Sequence, residues 1–155
     1  MKNRKIENLP KIKVFMWTLL KGKILTTDNL KKKGYEGPSH CAMCQMSEES
    51  MQRLFVGCPF ARDCWPLLVR PLEICSQQPL PLHELLSTWK KKYPYTFKNK
   101  ETIKRYWMSL PSFLCWKIYL AINQRISKYR SPSIKTILAK TRSMTKKFIN
   151  FEGAK

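Results

Sequence analysis

The sequence predicts an all-α protein, a small cysteine-knuckle helical module followed by two or three longer helices. Three observations predict it. Apolar residues recur at three- and four-residue spacing in segment after segment. No stretch shows sustained alternation or an Asn-Gly hairpin signal. Pro, Gly, Ser, Thr and Asn fall where helices start and stop. The chain has 155 residues, which suits one ordinary domain, or one small domain with helical extensions. It can bury a modest core without disulfides.

Ile12, Phe15, Met16, Leu19 and Leu20 lie between Pro10 and Gly22, so a short amphipathic helix is expected over roughly 11–21. Thr26 or Thr27 caps a second helix that ends at Gly34, after Lys31, Lys32 and Lys33. Gly37-Pro38 marks a turn. Ser47, with Glu48 and Glu49 behind it, reads as the next helix start, because carboxylates in a first turn suit the helix dipole. Met51, Leu54 and Phe55 are its buried side and Gly57 its end. Pro59 opens another helix, carrying Phe60, Cys64, Leu67 and Leu68, which Pro66 should kink or shorten. Residues 71–81, with three prolines, read as a linker between a module at 9–70 and a basic helical extension at 82–150. In the extension, a helix over Leu82–Lys92 precedes Tyr93-Pro94. Asn99 caps a long helix bent at Pro111, and Ser131-Pro132 starts the last one.

Charge is the most informative part of the composition. Thirty Lys and Arg face ten Asp and Glu, for a net charge of +20. Residues 1–33 carry +8, residues 34–85 carry −3 and residues 86–155 carry +15. Two basic segments that repel themselves need counterions or a polyanion nearby; nucleic acid, which releases condensed counterions when bound, is the commonest such partner, and an anionic membrane surface or an acidic protein is the alternative. The candidate contacts are Lys31, Lys32 and Lys33 on one side of the acidic middle and Lys90, Lys91, Lys92, Lys98 and Lys100 on the other. Tyr93, Tyr95 and Phe97 interleave with the second group, as in stretches that stack bases while pairing phosphates. A solvated rim of lysines over packed aromatics explains the same pattern. No base-reading code is visible, so binding to RNA or DNA should be sequence-tolerant and salt-sensitive. No apolar run reaches the length of a membrane span, and no secretory signal is evident. An intracellular protein is expected, in the nucleus rather than the cytoplasm.

Six cysteines are present, and with no sign of secretion they are expected to be reduced. Cys41 and Cys44 have the spacing of a knuckle that offers two thiolates to one zinc ion. Cys58 follows at a helix start, where the dipole favours a thiolate. A fourth ligand is missing. Arg53 has no lone pair to give, His40 adjoins Cys41, and Cys64 is turned away by its spacing from Cys58. A cluster of buried, metal-free thiols is the alternative, and Cys64, Cys75 and Cys115 read that way.

An enzyme is not expected. His40 and Cys41 are too close in sequence to form a productive nucleophile pair, and no third group orients the His. Only two Asp exist, and the five glycines are scattered rather than gathered in a phosphate-cradling loop. No small-molecule substrate is expected.

Several segments together resemble a known family. They are Leu9-Pro-Lys-Ile-Lys-Val-Phe-Met-Trp-Thr-Leu-Leu-Lys-Gly22, Leu25-Thr-Thr-Asp-Asn-Leu30, Cys41-Ala-Met-Cys44, and the run from Glu49 through Cys58-Pro-Phe-Ala-Arg-Asp-Cys-Trp65. In this order they are similar to the plant reverse-transcriptase zinc-binding domain of non-LTR retrotransposons, over about residues 9–69. Cys115–Arg125 is similar to a helix that often follows that domain. The resemblance implies a metal set of three Cys and one His, matched by Cys41, Cys44 and Cys58, with the His position falling on Arg53. It implies core roles for Trp17 and Trp65. The expected function is a non-catalytic nucleic-acid-binding accessory module derived from a retrotransposon reverse transcriptase, with a partial, three-Cys zinc knuckle. The rival expectation is a metal-free relic or protein-interaction module with no dedicated nucleic-acid partner.

Overall fold

The computed structural model describes residues 8–68, 80–128, 130 and 132–153. Among them are six α-helices: α1 Asn8–Leu20, α2 Thr27–Lys32, α3 Pro59–Leu68, α4 Leu82–Lys91, α5 Glu101–Lys128 and α6 Ile134–Gly153. A π-helical turn, Arg53–Gly57, leads into α3, and a 3₁₀ turn, Tyr95–Phe97, precedes α5. No strand occurs among the described residues, so the all-α class holds. Most of the expected linker, residues 71–79, lies outside the described residues, as does Cys75.

Local chemistry explains most boundaries. Gly22 (φ +66°) and Gly34 (φ +89°) take the left-handed conformation just past α1 and α2, where a side chain would be strained. Asn29 pins the α1–α2 turn by donating to the carbonyls of Gly22 and Ile24. Pro59 is the first residue of α3, where its missing N–H costs nothing. Pro66 does not end that helix, which runs on to Leu68.

Three helix starts differ from expectation. No helix begins at Ser47. The chain there pairs backward, with an antiparallel bridge between His40 and Glu48 and with Cys41 N–H donating to the Ser47 carbonyl at 2.8 Å. Helical conformation begins only at Met51. The carboxylate expected to start that helix caps a different one, because Glu49 Oε1 accepts from both the backbone N–H and the hydroxyl of Thr27, at 2.8 and 2.9 Å. The long helix starts at Glu101 rather than directly behind Asn99. In the last helix the capping serine is Ser133, whose hydroxyl accepts from Thr136 N–H at 3.1 Å.

One hydrophobic core runs through all the layers. α5 and α6 form a helical hairpin, with α1 and α4 on α5 and α3 on α6. Leu19, Phe55, Cys64, Trp65, Leu85, Trp89, Leu114, Cys115 and Ile118 are all fully buried in it. The tryptophans are its centre. Trp65 meets Trp89 edge-on at 6.0 Å, and Trp89 stacks on Trp107 at 4.8 Å. Each of the last two indoles donates to the other's backbone carbonyl. Trp89 Nε1 reaches the Trp107 carbonyl at 2.8 Å, and Trp107 Nε1 reaches that of Trp89 at 2.9 Å. The Trp107 carbonyl is free to accept because the residue four positions on is Pro111, which has no N–H. Trp65 Nε1 donates to the Phe55 carbonyl at 2.8 Å, so all three buried indoles have acceptors.

Two side chains fasten the segments on either side of residues 69–79. Arg142 on α6 donates to the Leu67 and Leu68 carbonyls at 2.7 and 3.0 Å. It thereby places a cation on the last carbonyls of α3. Gln52 donates to the Leu80 carbonyl at 2.7 Å and accepts from Leu82 N–H at 2.9 Å. Pro81 offers α4 no side-chain cap, so Gln52 supplies one from a distance. Gln52→Leu removes both bonds and leaves the Leu82 N–H without its partner. The expected cost is about 1–2 kcal/mol, a fall in melting temperature of roughly 3–6 °C, checked by thermal unfolding.

Candidate metal centre

The knuckle is built by a tight turn. Residues 39–41 run antiparallel to residues 47–49, with Glu49 N–H on the Ser39 carbonyl and Gln45 N–H on the Cys41 carbonyl. Gln45 closes the turn with φ 55°. This folds Cys44 back beside Cys41. Cys58 arrives from the other direction, at the residue before Pro59, where its carbonyl accepts the N–H of Arg62. The three sulfur atoms all lie within 4.8 Å of one another. Cys41 and Cys58 are fully buried, and Cys44 is half-buried.

Within the cluster the thiols shift one another's protonation. Cys41 is held down to about 5, chiefly because the Cys58 thiol donates to its sulfur, with further help from the backbone N–H groups of Cys44 and Met43. Cys58 is pushed up by making that donation and by burial. Cys64 and Cys115 are different. Burial pushes each up to about 12, and neither joins the cluster, so both are packing groups, as expected.

The trio fits a thiophilic cation over part of its shell. Thiolates at about 2.3 Å from a tetrahedral zinc are about 3.8 Å apart, so these sulfurs need to close up by no more than about an ångström. No fourth donor joins them among the described residues. His40 is exposed and stays out of the group. What approaches instead is Arg53, whose Nη2 lies 3.7 Å from Cys44 Sγ. Its Nε is buried and has no acceptor among the described residues. A permanent cation therefore stands beside the thiols, without a lone pair to complete a shell.

The candidate lysines sit elsewhere. Lys31 and Lys32 lie in the last turn of α2, with Lys33 just past it; Lys90 and Lys91 lie in the last turn of α4, with Lys92 just past it. All six are exposed. Cations at these positions offset the helix dipole, which accounts for their placement without any ligand. Lys31 also pairs with Glu48 at 3.6 Å. Lys98 donates to the Tyr95 hydroxyl at 2.7 Å and lies over the Tyr95 ring. Lys100 is exposed just before α5. Of the interleaved aromatics, Tyr93 packs edge-on against Trp107 at 6.1 Å, whereas Tyr95 is exposed.

Two features escaped the sequence reading. Trp17, expected in the core beside Trp65, is 58% exposed, and only Trp65 is buried. The signal was present, because at 100° per residue Trp17 falls on the side of α1 opposite Ile12, Phe15 and Leu19. The second is the placement of Lys117 of α5 beside the lysines of α6. The Lys117 ammonium is held below its ordinary value by burial and by the like charges of Lys140 and Lys147. That too was legible, since no carboxylate occurs from residue 102 to residue 151.

The knuckle's sequence setting agrees with its geometry. Residues 3–65 match the model of one protein family, described as zinc-binding in reverse transcriptase. The match takes in α1, α2, all three clustered cysteines and most of α3, and leaves α4, α5 and α6 outside it. This segment is thus similar to a family described as zinc-binding, the one its motifs resemble. No curated protein and no solved structure matches the chain. Among the described residues no helix is long and apolar enough to cross a membrane.

Proposed function

We propose that the chain is a non-catalytic accessory module, derived from a retrotransposon reverse transcriptase, that anchors its first half on a zinc ion and binds RNA or DNA through its basic segments. The observation that carries this reading is the convergence of Cys41, Cys44 and Cys58 within 4.8 Å, inside the segment that matches the zinc-binding family. The three thiolates would hold the ion, and zinc would contribute structure only, tying the knuckle to the start of α3. Residues 9–70 are the metal module, 71–81 a linker, and 82–150 the basic extension. Lys31, Lys32, Lys33, Lys90, Lys91, Lys92, Lys98 and Lys100 contact phosphates without reading bases, and the protein works in the nucleus. The net charge of +20 supports that part of the reading.

The test is a pair of measurements on protein purified under reducing conditions. Metal analysis should find zinc near one ion per chain. Affinity for single-stranded RNA should fall steeply with salt, by roughly tenfold or more between 50 and 200 mM if three or so phosphates are neutralised. Binding that ignores salt would reject the electrostatic reading.

One observation favours a second reading. Arg53 beside Cys44 puts a positive charge where an incoming metal cation would be repelled. On that reading the cluster is a metal-free relic, with the guanidinium as its counter-charge. Protein that contains no zinc and melts identically with and without chelator would decide for it.

A further inference from the structure

A groove lies between α1, the turn after it, and α5, with a volume of about 560 Å³. Val14 and Leu25 form part of its wall, Trp116 and Tyr119 supply aromatic rings, and Lys11 and Lys23 add ammonium groups; no carboxylate lines it. The two rings are half-buried and lie 5.8 Å apart. Both lean on the buried Phe15, at 5.2 and 5.0 Å, so the platform is braced from beneath. One turn beyond Val14 on α1 stands the exposed indole of Trp17, with Lys13 and Lys21 one turn to either side of it.

The exposed Val14 and Leu25 of the groove, with the exposed Trp17 a turn further along α1, call for an occupant. The charge around them selects it. Two lysines and no carboxylate in the lining, with Lys13 and Lys21 further along the chain of α1 and its following turn, suit a polyanion, and aromatic faces suit one that presents flat apolar rings. Single-stranded nucleic acid has both, whereas a duplex hides its bases and an acidic peptide lacks the rings. We propose that this α1–α5 groove is a binding site for single-stranded RNA or DNA, with bases stacked on Trp17, Trp116 and Tyr119 and phosphates held by Lys11, Lys13, Lys21 and Lys23. The proposal rests on the nucleic-acid reading above and gives it a location that the lysine triplets of α2 and α4 do not.

The experiment uses the full chain and a twelve-nucleotide oligouridylate. Ultraviolet crosslinking followed by mass spectrometry should place adducts on Trp17, Trp116 or Tyr119, and not on Tyr95. Trp17→Ala should weaken binding about tenfold or more, in line with the loss of one stacked base. Its side chain is outside the core, so the variant should keep the wild-type melting temperature. Lys11→Gln with Lys23→Gln should lower the salt slope by about two phosphates. A matching duplex should bind less tightly. If the oligonucleotide binds but crosslinks elsewhere, and Trp17→Ala is within twofold of wild type, the groove proposal falls while the nucleic-acid reading survives. If no oligonucleotide binds at low salt, both fall. A groove that instead joins two copies of this chain would give a dimer in sedimentation that Trp17→Ala dissociates, and that too would overturn the proposal.

Discussion

Replacing Arg53 with histidine should raise zinc affinity by at least about a hundredfold, equivalent to about 2.8 kcal/mol. Two changes combine in this substitution. A cation 3.7 Å from Cys44 Sγ disappears, and with it a buried Nε that has no acceptor among the described residues. An imidazole takes its place on the same backbone, at the first position of the π-helical turn, and closes the three-thiolate shell to the four ligands of a structural zinc site. Arg53→Ala separates the two effects, because it removes the charge without supplying a donor. Competition against a chromophoric chelator measures all three proteins. Affinity should rise from Arg53 to Ala and again from Ala to His. If His binds no more tightly than Ala, the imidazole does not reach the ion and the knuckle does not converge on a fourth corner. Melting temperature gives an independent readout, since metal that binds only the folded state stabilises it.

Trp89→Phe should destabilise the protein by about 2–3 kcal/mol, seen as a drop of roughly 6–10 °C in melting temperature. An aromatic ring is kept, though a smaller one, and the donor to the Trp107 carbonyl is lost. In an ordinary helix that carbonyl would be bonded to the N–H four residues on. Here the residue is Pro111, so the buried acceptor is left without a partner. The interpretation has an internal control. Pro111→Ala restores a backbone N–H at the right position, so in the Trp89→Phe background it should recover about 1 kcal/mol. In the wild-type background the same change competes with the indole and should recover nothing. A double-mutant cycle with no coupling between the two positions would show that the indole and the proline are unrelated.

The helical architecture was legible because its signals are local. Apolar spacing in α1 and α6, the glycines after α1 and α2, and Pro59 at the start of α3 act within a turn of the residues they organise. The reading failed where a local signal had a distant use. Ser47-Glu48-Glu49 has the composition of a helix start, but the knuckle turn pairs Glu48 with His40 and sends Glu49 to Thr27, 22 residues away. In the same way Pro111 reads as a bend, and its effect on Trp107 depends on a side chain from another helix. At the site, donor chemistry alone showed that three thiols lack a fourth ligand and that Arg53 cannot supply it. That the guanidinium lies against Cys44, and that Trp116 and Tyr119 meet Lys11 and Lys23 across a groove, required the tertiary arrangement.

The way α1 lies on α5 has a consequence for anyone who wishes to move the cysteine segment into another protein. Phe15 rests against Trp116 and Tyr119, and the Trp65 indole rests against that of Trp89, so rings from outside the family match finish the interior of the part within it. Cut after α3, the excised piece would show water the faces that those later rings now cover, and it would tend to clump. A transplantable cassette has to bring α4 and α5 with it.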